Sequence, residues 1–430
     1  MIWYTLIARL LLPFALMRLW WRARHHPDYA SRWPERLGYG EPIPGAPVWI
    51  HAVSVGETRA ATPLIRALLD KHPGIPLLVT TTTLTGAAQV SMLFGDSVIH
   101  RFAPFDLPGA VTRFLAMARP RVAVILETEI WPQLFAALKR DGIPVFLANV
   151  RLSERSYRRY RRIPRLIAKT LAIPAVIAAQ SAADAARLRA LGAPPGRVHV
   201  AGNMKFELSP TAGLREAAQA LRLAWGDRPV WVAASTHQGE EETILGTHGV
   251  LKQEFPGLLL ILVPRHPERF EAVGRLARAS GATVAQRSTG DPVTEGTDVL
   301  LGDTMGELML FFAAADCAFI GGSLVDTGGH NPLEALALGV PVVFGPHMFN
   351  FDEIAQLTLA AGAGVRVTDG DGLVAALRVY LGNRQVRQAA SAAGESLVRG
   401  HQGALARTLA LLEPFLRRPA RPSANPGSPE

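Results

Sequence analysis

Carboxylates follow two apolar runs in the first half of the sequence. The run "VWIHAVSV" is followed by Gly56 and Glu57, and the run "VAVIL" is followed by Glu127 and Glu129. Parallel sheets that are covered on both faces are built from such continuous apolar strands, and ligands bind beyond the carboxyl ends of those strands. The three glutamates therefore occupy positions that are typical of a ligand site.

Glu57 has the chemistry and the position of a general base. A carboxylate at the edge of a cleft can remove a proton from a substrate hydroxyl group. Alternatively, Glu57 only stabilises the helix that follows the strand, because a negative charge is favourable at a helix N-terminus. The residues alone leave both interpretations open.

The other charged residues of this half give weaker signals. Glu127 and Glu129 are two positions apart on a strand end, and neighbouring strand residues alternate between faces. Because we treat the two carboxylates as lying on opposite faces, we expect only one of them to face a ligand. Lys205, in "AGNMKFE", is either the partner of a ligand carboxylate or an ordinary surface lysine.

Apolar runs in the second half end in small hydrogen-bond donors and in arginine. The residues that follow "WVAA" and "LLLILV" are Ser235 and Thr236 in the first case and Pro264, Arg265 and His266 in the second. Arginine matches the geometry of a phosphate group better than any other side chain, so Arg265 predicts a phosphorylated ligand. A surface loop with a salt bridge to Glu268 is the alternative.

Glycine-containing turns follow two further strands. The turn after "VLLGDT" contains Met305, Gly306 and Glu307, with a helix predicted to open at Gly306. The run "AFI" leads into Gly321, Gly322 and Ser323, where the glycine pair lacks side chains and lets the backbone approach a ligand.

The segment "GGHNPLEA" predicts the start of a helix. Asn331 is the expected N-cap, Pro332 the first helical residue, followed by Leu333, and Glu334 the third. Such a helix start attracts phosphate, and Glu334 either caps the helix or binds ribose hydroxyls. The patterns GxxxxGK[ST] and GxGxxG after a strand are absent, so we predict a nucleotide site without a Walker lysine.

Alternating strand-like and helix-like segments must position these residues. Six apolar strands are predicted in each half, with a break near residues 206–228. This pattern predicts an α/β chain of two doubly wound domains that face a cleft. We place the domains at residues 25–210 and 211–400, followed by a C-terminal helix at 401–416. The tail 417–430 is rich in proline, serine and arginine and is predicted to be disordered.

The first 24 residues have the composition of a membrane anchor. Residues 2–21 are almost wholly apolar, and Trp20 and Trp21 are followed by Arg22 and Arg24. About 20 such residues can span a bilayer, and tryptophan followed by arginine indicates the cytoplasmic interface. An interfacial helix or a buried core helix is also compatible with this segment.

The charge balance favours an anionic partner. The net charge is +9, and the segment 151–169 carries seven arginines and one lysine with a single acid. Beside a membrane anchor, such a segment predicts binding to the phosphates of anionic membrane lipids. No RNP, helix-turn-helix or zinc-finger pattern indicates nucleic acid. The single cysteine, Cys317, excludes a disulfide framework and a C-x-x-C metal site, and we expect no metal cofactor.

Eleven motifs resemble those of the Kdo (3-deoxy-D-manno-octulosonic acid) transferases, which are membrane-anchored GT-B glycosyltransferases of lipopolysaccharide assembly. The resemblance extends in order from the anchor to about residue 410. Its motifs are HAVSVGE, TTTTLTG, ETEIWP, NVRLSERS, GNMKF, STHQGEE, LVPRHPERF, GDTMGELM, GGSLV, GGHNPLEA and GPHMFNF.

This resemblance implies a detailed function. It implies inverting, metal-independent transfer of Kdo from CMP-Kdo to a lipid A precursor (lipid IVA) at the cytoplasmic face of the inner membrane. Glu57 would be the general base, and Glu127, Glu129 and Lys205 would lie around the transferred sugar. The residues that would hold CMP are Pro264, Arg265, His266, Gly306, Glu307, Asn331 and Glu334. We add to this predicted set Ser235, Thr236, Met305, Gly322, Ser323, Pro332 and Leu333.

One departure and two alternatives remain open. The family usually has asparagine after ETEIWP, where this chain has Gln133. Another GT-B transferase or a nucleotide-sugar epimerase would share the architecture. A membrane-tethered CMP-sugar binder without catalysis is the second alternative, although such a binder would not need Glu57.

Overall fold

The chain forms two compact units, each built around its own parallel sheet. The computed structural model describes residues 32–208 and 213–417, together with seven helical positions between residues 4 and 24. The first unit comprises Met1–Glu207 and Gln402–Glu430, and the second comprises Leu208–His401. The predicted pair of Rossmann-like parallel sheets is confirmed.

The first sheet has seven parallel strands in the order β3-β2-β1-β4-β5-β6-β7. Its strands are β1 (Val48–His51), β2 (Leu77–Thr81), β3 (Ile99–Phe102), β4 (Val122–Leu126), β5 (Val145–Val150), β6 (Val176–Ala179) and β7 (Val198–Val200). The strand order reverses at β1 and β4, the position at which doubly wound sheets open a crevice for ligands.

Helices cover both faces of this sheet. They are α1 (Trp33–Arg36), α2 (Val55–Lys71), α3 (Leu84–Phe94), α4 (Pro108–Ala118), α5 (Pro132–Arg140), α6 (Glu154–Tyr160), α7 (Pro164–Leu171), α8 (Ala182–Ala190) and, after the second unit, α17 (Ala404–Leu416). Trp49 and Phe135 belong to the apolar core on one face, and Ile50 and Phe146 to the core on the other. This two-sided burial explains the continuous apolar runs of the strands.

The second sheet repeats this plan with the order β10-β11-β9-β8-β12-β13-β14. Its strands are β8 (Val230–Thr236), β9 (Leu259–Pro264), β10 (Val284–Gln286), β11 (Val299–Leu301), β12 (Cys317–Ile320), β13 (Val342–Phe344) and β14 (Gly364–Arg366). Its helices are α9 (Leu214–Trp225), α10 (Glu241–Glu254), α11 (Phe270–Ala279), α12 (Leu308–Ala313), α13 (Leu333–Leu336), α14 (Asp352–Ala360), α15 (Gly370–Gly382) and α16 (Arg384–His401).

Two edge strands and the placement of α17 were not predicted. β7 and β14 are three residues long and partly exposed, so they lack the apolar run that identifies a buried strand. The C-terminal helix is not a separate segment, because Leu409 and Leu412 of α17 are buried in the core of the first unit.

The predicted anchor and tail fall largely outside the described residues. Residues 418–430 of the tail lie outside them, as does most of the segment 1–24. Within that segment, the Tyr4 hydroxyl donates to Asp106 Oδ2 at 2.7 Å, and Leu10, Phe14 and Trp21 are exposed. Among the residues that the structure describes, no helix has the length and apolarity needed to cross a membrane.

Candidate active site

Glu57 lies at the carboxyl end of β1, buried at the start of α2. The helix begins at Val55, and Glu57 is its third residue. Glu57 Oε2 accepts a hydrogen bond from the Val53 backbone N–H at 2.7 Å, and the residue is only 9% exposed. The glutamate thus does contribute to the helix start, as one of the two interpretations of the sequence proposed.

Burial raises the pKa of Glu57 from 4.5 to about 8. Desolvation is the largest cause, since burial disfavours the ionised form. The negative charges of Glu127 and Glu129 raise the pKa further, whereas the Val53 N–H and the Lys205 ammonium lower it. A carboxyl group with this pKa is a stronger base than an ordinary glutamate once it is ionised.

Glu127 and Glu129 both lie within electrostatic reach of Glu57. We expected only one of them to face a ligand because strand residues alternate between faces, and that reasoning does not apply here. β4 ends at Leu126, and Glu127 has a left-handed backbone (φ 54°), so the alternation of strand faces does not extend to these residues. This conformation is costly for a residue with a side chain and is concentrated at functional sites.

Lys205 completes this group of charges. Its Nζ lies 3.3 Å from Glu127 Oε1, and it is carried by a short 3₁₀ turn, Met204–Phe206. The turn is fixed by Asn149 Oδ1, which accepts the Met204 N–H at 2.9 Å. Lys205 is therefore an ion-paired residue of the site.

Glu129 is held by an aromatic neighbour. The Trp131 Nε1–H donates to Glu129 Oε2 at 2.6 Å, and burial raises the pKa of Glu129. The first unit therefore gathers three carboxylates and one ammonium at the ends of β1 and β4. Such a group can accept a proton from a hydroxyl and bind a polar sugar.

In the second unit, β8 and β9 bring the predicted donors to one sheet edge. Ser235 has a left-handed backbone (φ 58°). Thr236 is fully buried, and its hydroxyl donates to Glu241 at 3.0 Å. Pro264 is buried at the end of β9, and the Arg265 N–H donates to the Thr236 carbonyl at 3.0 Å. Thr236 thus connects β8 to the loop after β9 through its carbonyl and to Glu241 through its buried hydroxyl.

Three imidazoles lie together beside these strand ends. The Nε2 atoms of His237 and His330 are 2.8 Å apart, and the two rings are stacked with their centroids 5.1 Å apart. The partly exposed His266 packs edge-on against His237 at 5.3 Å, and its Nδ1 is 3.9 Å from Glu268. Burial is the main cause that lowers the pKa of His237, which favours the neutral ring.

The glycine loop after β12 packs tightly against β8. A Cβ on Gly321 would lie 2.5 Å from the Ser235 carbonyl oxygen. Gly322 adopts φ 67°. Ser323 is fully buried, and its hydroxyl accepts the Gly345 N–H at 2.8 Å and donates to the Ile320 carbonyl. The loop thus depends on glycine for close backbone contact, as predicted from its composition.

The N–H groups of this loop have an internal partner that sequence reasoning missed. The carboxylate of Glu240 accepts the N–H groups of Gly322 at 2.7 Å and Ser323 at 3.0 Å. The available signal was the acidic run after the strand, in "STHQGEEE". A sequence cannot show that this acid reaches a loop more than 80 residues away.

The turn with Met305, Gly306 and Glu307 presents one exposed side chain. Met305 is exposed, and Gly306 adopts φ 88°. Arg287 Nη2 is 2.6 Å from Glu307 Oε1, and the resulting hydrogen bonds lower the pKa of Glu307. α12 begins at Leu308, not at Gly306 as expected. Glu307 is therefore an ionised residue with a fixed arginine partner.

The helix predicted to begin at Pro332 is shorter than expected. α13 comprises only Leu333–Leu336, and Pro332 precedes it. The N-cap is Pro332 and not Asn331 as expected. Asn331 Oδ1 nevertheless accepts the Leu333 N–H at 3.2 Å, and its Nδ2 lies 3.5 Å from Glu334 Oε1. Pro332 and Leu333 are buried. A single helical turn has too small a dipole to hold a phosphate by itself.

A separate basic surface lies on α6 of the first unit. A hollow of about 400 Å³ is lined by Glu154 and by four exposed arginines, Arg155, Arg158, Arg159 and Arg162. Glu154 pairs with Arg158 at 3.1 Å. The excess of positive charge suits an anionic group such as a phosphate.

The arrangement of possible metal ligands is a further feature of the described residues. Within residues 32–208 and 213–417, no three His, Cys, Asp or Glu side chains converge as a set of metal ligands. Basic side chains that lie at or beside the strand ends described above include Lys205 and Arg287, which pair with Glu127 and Glu307.

Comparisons with known proteins agree with these features. The profile of the family described as "3-Deoxy-D-manno-octulosonic-acid transferase (kdotransferase)" matches residues 31–208. The 3-deoxy-D-manno-octulosonic acid transferase of Haemophilus influenzae is 41% identical over 96% of this chain and 98% of its own length. The enzyme of the same name from Bordetella pertussis is 39% identical over 96% of this chain and 99% of its own.

A solved structure shares the fold. UDP-GlcNAc 2-epimerase from Neisseria meningitidis bound to UDP-GlcNAc is 15% identical, with a TM-score of 0.56, over 86% of this chain and 100% of that chain. This likeness concerns the architecture of the backbone alone.

Proposed function

Because the chain belongs to the family of 3-deoxy-D-manno-octulosonic acid transferases, we propose that it transfers Kdo from CMP-Kdo to the lipid A precursor lipid IVA. The membership predicted from the motifs is confirmed by relatives that are 41% and 39% identical over 96% of the chain. The chain is accordingly a glycosyltransferase. The proposal adds the donor, the acceptor and the place of the reaction in lipopolysaccharide biosynthesis.

The observation that carries the mechanism is the buried Glu57 carboxyl group with a pKa of about 8. We propose that ionised Glu57 takes the proton of an acceptor hydroxyl as the hydroxyl oxygen bonds to the anomeric carbon of Kdo. The bond between that carbon and the phosphate oxygen breaks, and CMP leaves with the bonding electrons. Attack from the side opposite to the leaving group inverts the anomeric configuration.

Charges around Glu57 support binding of an acidic sugar. Lys205 offers a cation for the Kdo carboxylate, while its pairing with Glu127 at 3.3 Å holds it in place. Glu129, fixed by the Trp131 N–H at 2.6 Å, is available for sugar hydroxyls. We propose that these residues bind the sugar and that Glu57 alone acts as the base.

Groups of the second unit support binding of the nucleotide. We propose that Arg265 and His266 bind the phosphate and that Glu334, steadied by Asn331, binds ribose hydroxyls. Positive side chains can stabilise the charge that develops on a departing phosphate, so we propose a reaction without a metal cofactor. Chelation with EDTA should leave the transfer rate unchanged, and recovery of a lost rate by Mg²⁺ would refute this part.

We also propose that the enzyme works at the cytoplasmic face of the inner membrane. The apolar segment 2–21 and the arginine-lined hollow on α6 support this proposal. Clusters of arginine beside a membrane attract anionic lipids, and both an acylated acceptor and its phosphates would be found there.

The decisive experiment uses purified protein, a CMP-Kdo generating system and tetraacylated lipid IVA, with mass spectrometry of the lipid. A product heavier by one or more Kdo units is expected, and the mass gives their number. Binding of CMP without any product would favour a non-catalytic CMP-sugar binder. Release of an altered free sugar in the absence of lipid would favour an epimerase.

A further inference from the structure

Glu240 is a fully buried carboxylate that joins the two loops at the centre of the second sheet. It is 0% exposed and lies immediately before α10. Its Oε2 accepts the N–H groups of His237 at 2.9 Å and Gly322 at 2.7 Å. Its Oε1 accepts those of Ser323 and Leu324, both at 3.0 Å.

Four N–H groups that converge on one carboxylate form an anion-binding nest. Hydrogen bonds to an ionised acceptor are about twice as strong as neutral ones, so this nest is a strong electrostatic feature. One donor comes from the loop after β8, and three come from the loop after β12. The carboxylate therefore ties the ends of two neighbouring strands together.

The nest occupies the position where a doubly wound sheet commonly holds a phosphate. The strand order reverses between β8 and β12, and ligands of such sheets bind at this switch point. Backbone N–H groups there are frequent phosphate donors. In this chain these donors already have an internal partner, the Glu240 carboxylate.

We propose that Glu240 is a positioning and specificity residue of the nucleotide half-site. Its carboxylate fills the backbone nest, holds the loops in their binding geometry, and restricts the half-site to nucleotides that carry a single phosphate. This inference rests on the proposed use of a CMP-linked donor. It goes further by naming the residue that distinguishes a monophosphate from a diphosphate.

The preference for a single phosphate has two causes, the negative charge of Glu240 and the lack of loop N–H groups for a second phosphate. With the nest filled, a phosphate must be recognised by side chains, and Arg265 and His266 follow the neighbouring strand β9. A second phosphate would add negative charge near Glu240 and would find no loop N–H group to accept. Electrostatic repulsion without compensating hydrogen bonds disfavours the diphosphate.

The test is calorimetric binding of CMP and CDP to the full-length protein and its variants. In the Glu240→Ala variant the nest is vacant, so CMP affinity should fall by at least about tenfold, because the loops lose their bridge. CDP affinity relative to CMP should rise by about tenfold or more, because its second phosphate can enter the nest. Glu242→Ala is the matched control, since Glu242 is an exposed acid two residues further along.

Chemical rescue separates this role from simple packing. Sodium formate should restore CMP affinity and the preference for CMP in Glu240→Ala, because formate replaces the missing carboxylate. It should leave the wild type and Glu242→Ala unchanged. If Glu240→Ala does not fold, Glu240→Gln keeps the side-chain shape without the charge, and its preference for CMP over CDP should still weaken.

Distinct outcomes overturn the inference and the proposed function. A folded variant with the wild-type ratio of CDP to CMP affinity, or a variant that formate does not rescue, overturns the role of Glu240. A wild-type protein that binds neither nucleotide overturns the proposed donor and this inference with it. A wild-type protein that binds CMP, while Glu240 variants keep its selectivity, leaves the proposed function standing and refutes only the inference.

Discussion

Replacement of Glu57 by glutamine should remove catalysis while stabilising the first unit at alkaline pH. Glutamine keeps the shape of the side chain and the acceptor for the Val53 N–H, but it cannot take a proton. General base catalysis typically contributes roughly 100- to 10,000-fold, so Kdo transfer should fall by about that factor at pH 8. Affinity for CMP should be unchanged, because Glu57 and the nucleotide residues belong to different units.

The pH dependence of kcat/KM in the wild type should follow the ionisation of Glu57. With a pKa of about 8, about a tenth of the molecules carry the ionised base at pH 7. The logarithm of kcat/KM should therefore rise with a slope of one up to pH 8 and level off above it. The small residual rate of Glu57→Gln should lack this rise.

The free energy of unfolding of the first unit should fall as the pH rises, whereas kcat/KM should increase. A raised pKa means that the folded state holds the Glu57 proton more tightly than the unfolded state, so its contribution is complete below pH 4.5 and is lost as the pH rises through 8. The interval from 4.5 to about 8 sets an upper bound of roughly 5 kcal/mol. We expect about 2–4 kcal/mol, because relaxation and water penetration reduce the cost of a buried charge.

Hydrogen exchange of the amides in β1 and β4 measures this difference. Between pH 5 and pH 8, the opening free energy should fall in the wild type relative to Glu57→Gln. Glu271→Gln, on an exposed side chain of α11, is the control for loss of a glutamate. A pH-independent kcat/KM between pH 6 and 9, or a constant stability difference between the two proteins, would falsify the assignment of Glu57.

Four further changes test the nucleotide residues, the charges around Glu57, the basic surface on α6 and the glycine loop after β12. Arg265→Ala should weaken CMP binding by about tenfold or more in calorimetry, because a charge-assisted contact is lost; unchanged affinity would place the phosphate elsewhere. Lys205→Met should shift the pH dependence of kcat/KM upward, since its ammonium lowers the pKa of Glu57; an unshifted profile would contradict this coupling. Arg155→Ser combined with Arg159→Ser should weaken binding to phosphatidylglycerol vesicles in sedimentation by roughly thirtyfold, at about 1 kcal/mol per arginine, and should not affect neutral vesicles; equal losses on both would indicate a non-electrostatic effect. Gly321→Ala should destabilise the second unit by about 1–3 kcal/mol in urea unfolding, because its Cβ would lie 2.5 Å from a carbonyl oxygen of β8; wild-type stability would show that the loop can shift.

Local sequence patterns were sufficient for the strands and for the family. Buried parallel strands require apolar residues on both faces, so runs such as "VAVIL" identify β4 without any knowledge of its neighbours. Long motifs such as GGHNPLEA identify the relatives because many residue types must agree at once. β7 and β14 were missed because three partly exposed residues carry no comparable signal.

The sequence by itself determined the two-sheet plan and the residues that follow each strand, because strand composition and chain order are local properties. Only the tertiary structure decided how those residues act on one another. Glu57 acquires its raised pKa from burial and from charges 70 or more residues away. Glu240 finds three of its four N–H donors more than 80 residues further along the chain, and α17 returns to the core of the first unit. Burial and electrostatic coupling depend on distances in space, and a linear sequence does not contain them until the chain has folded.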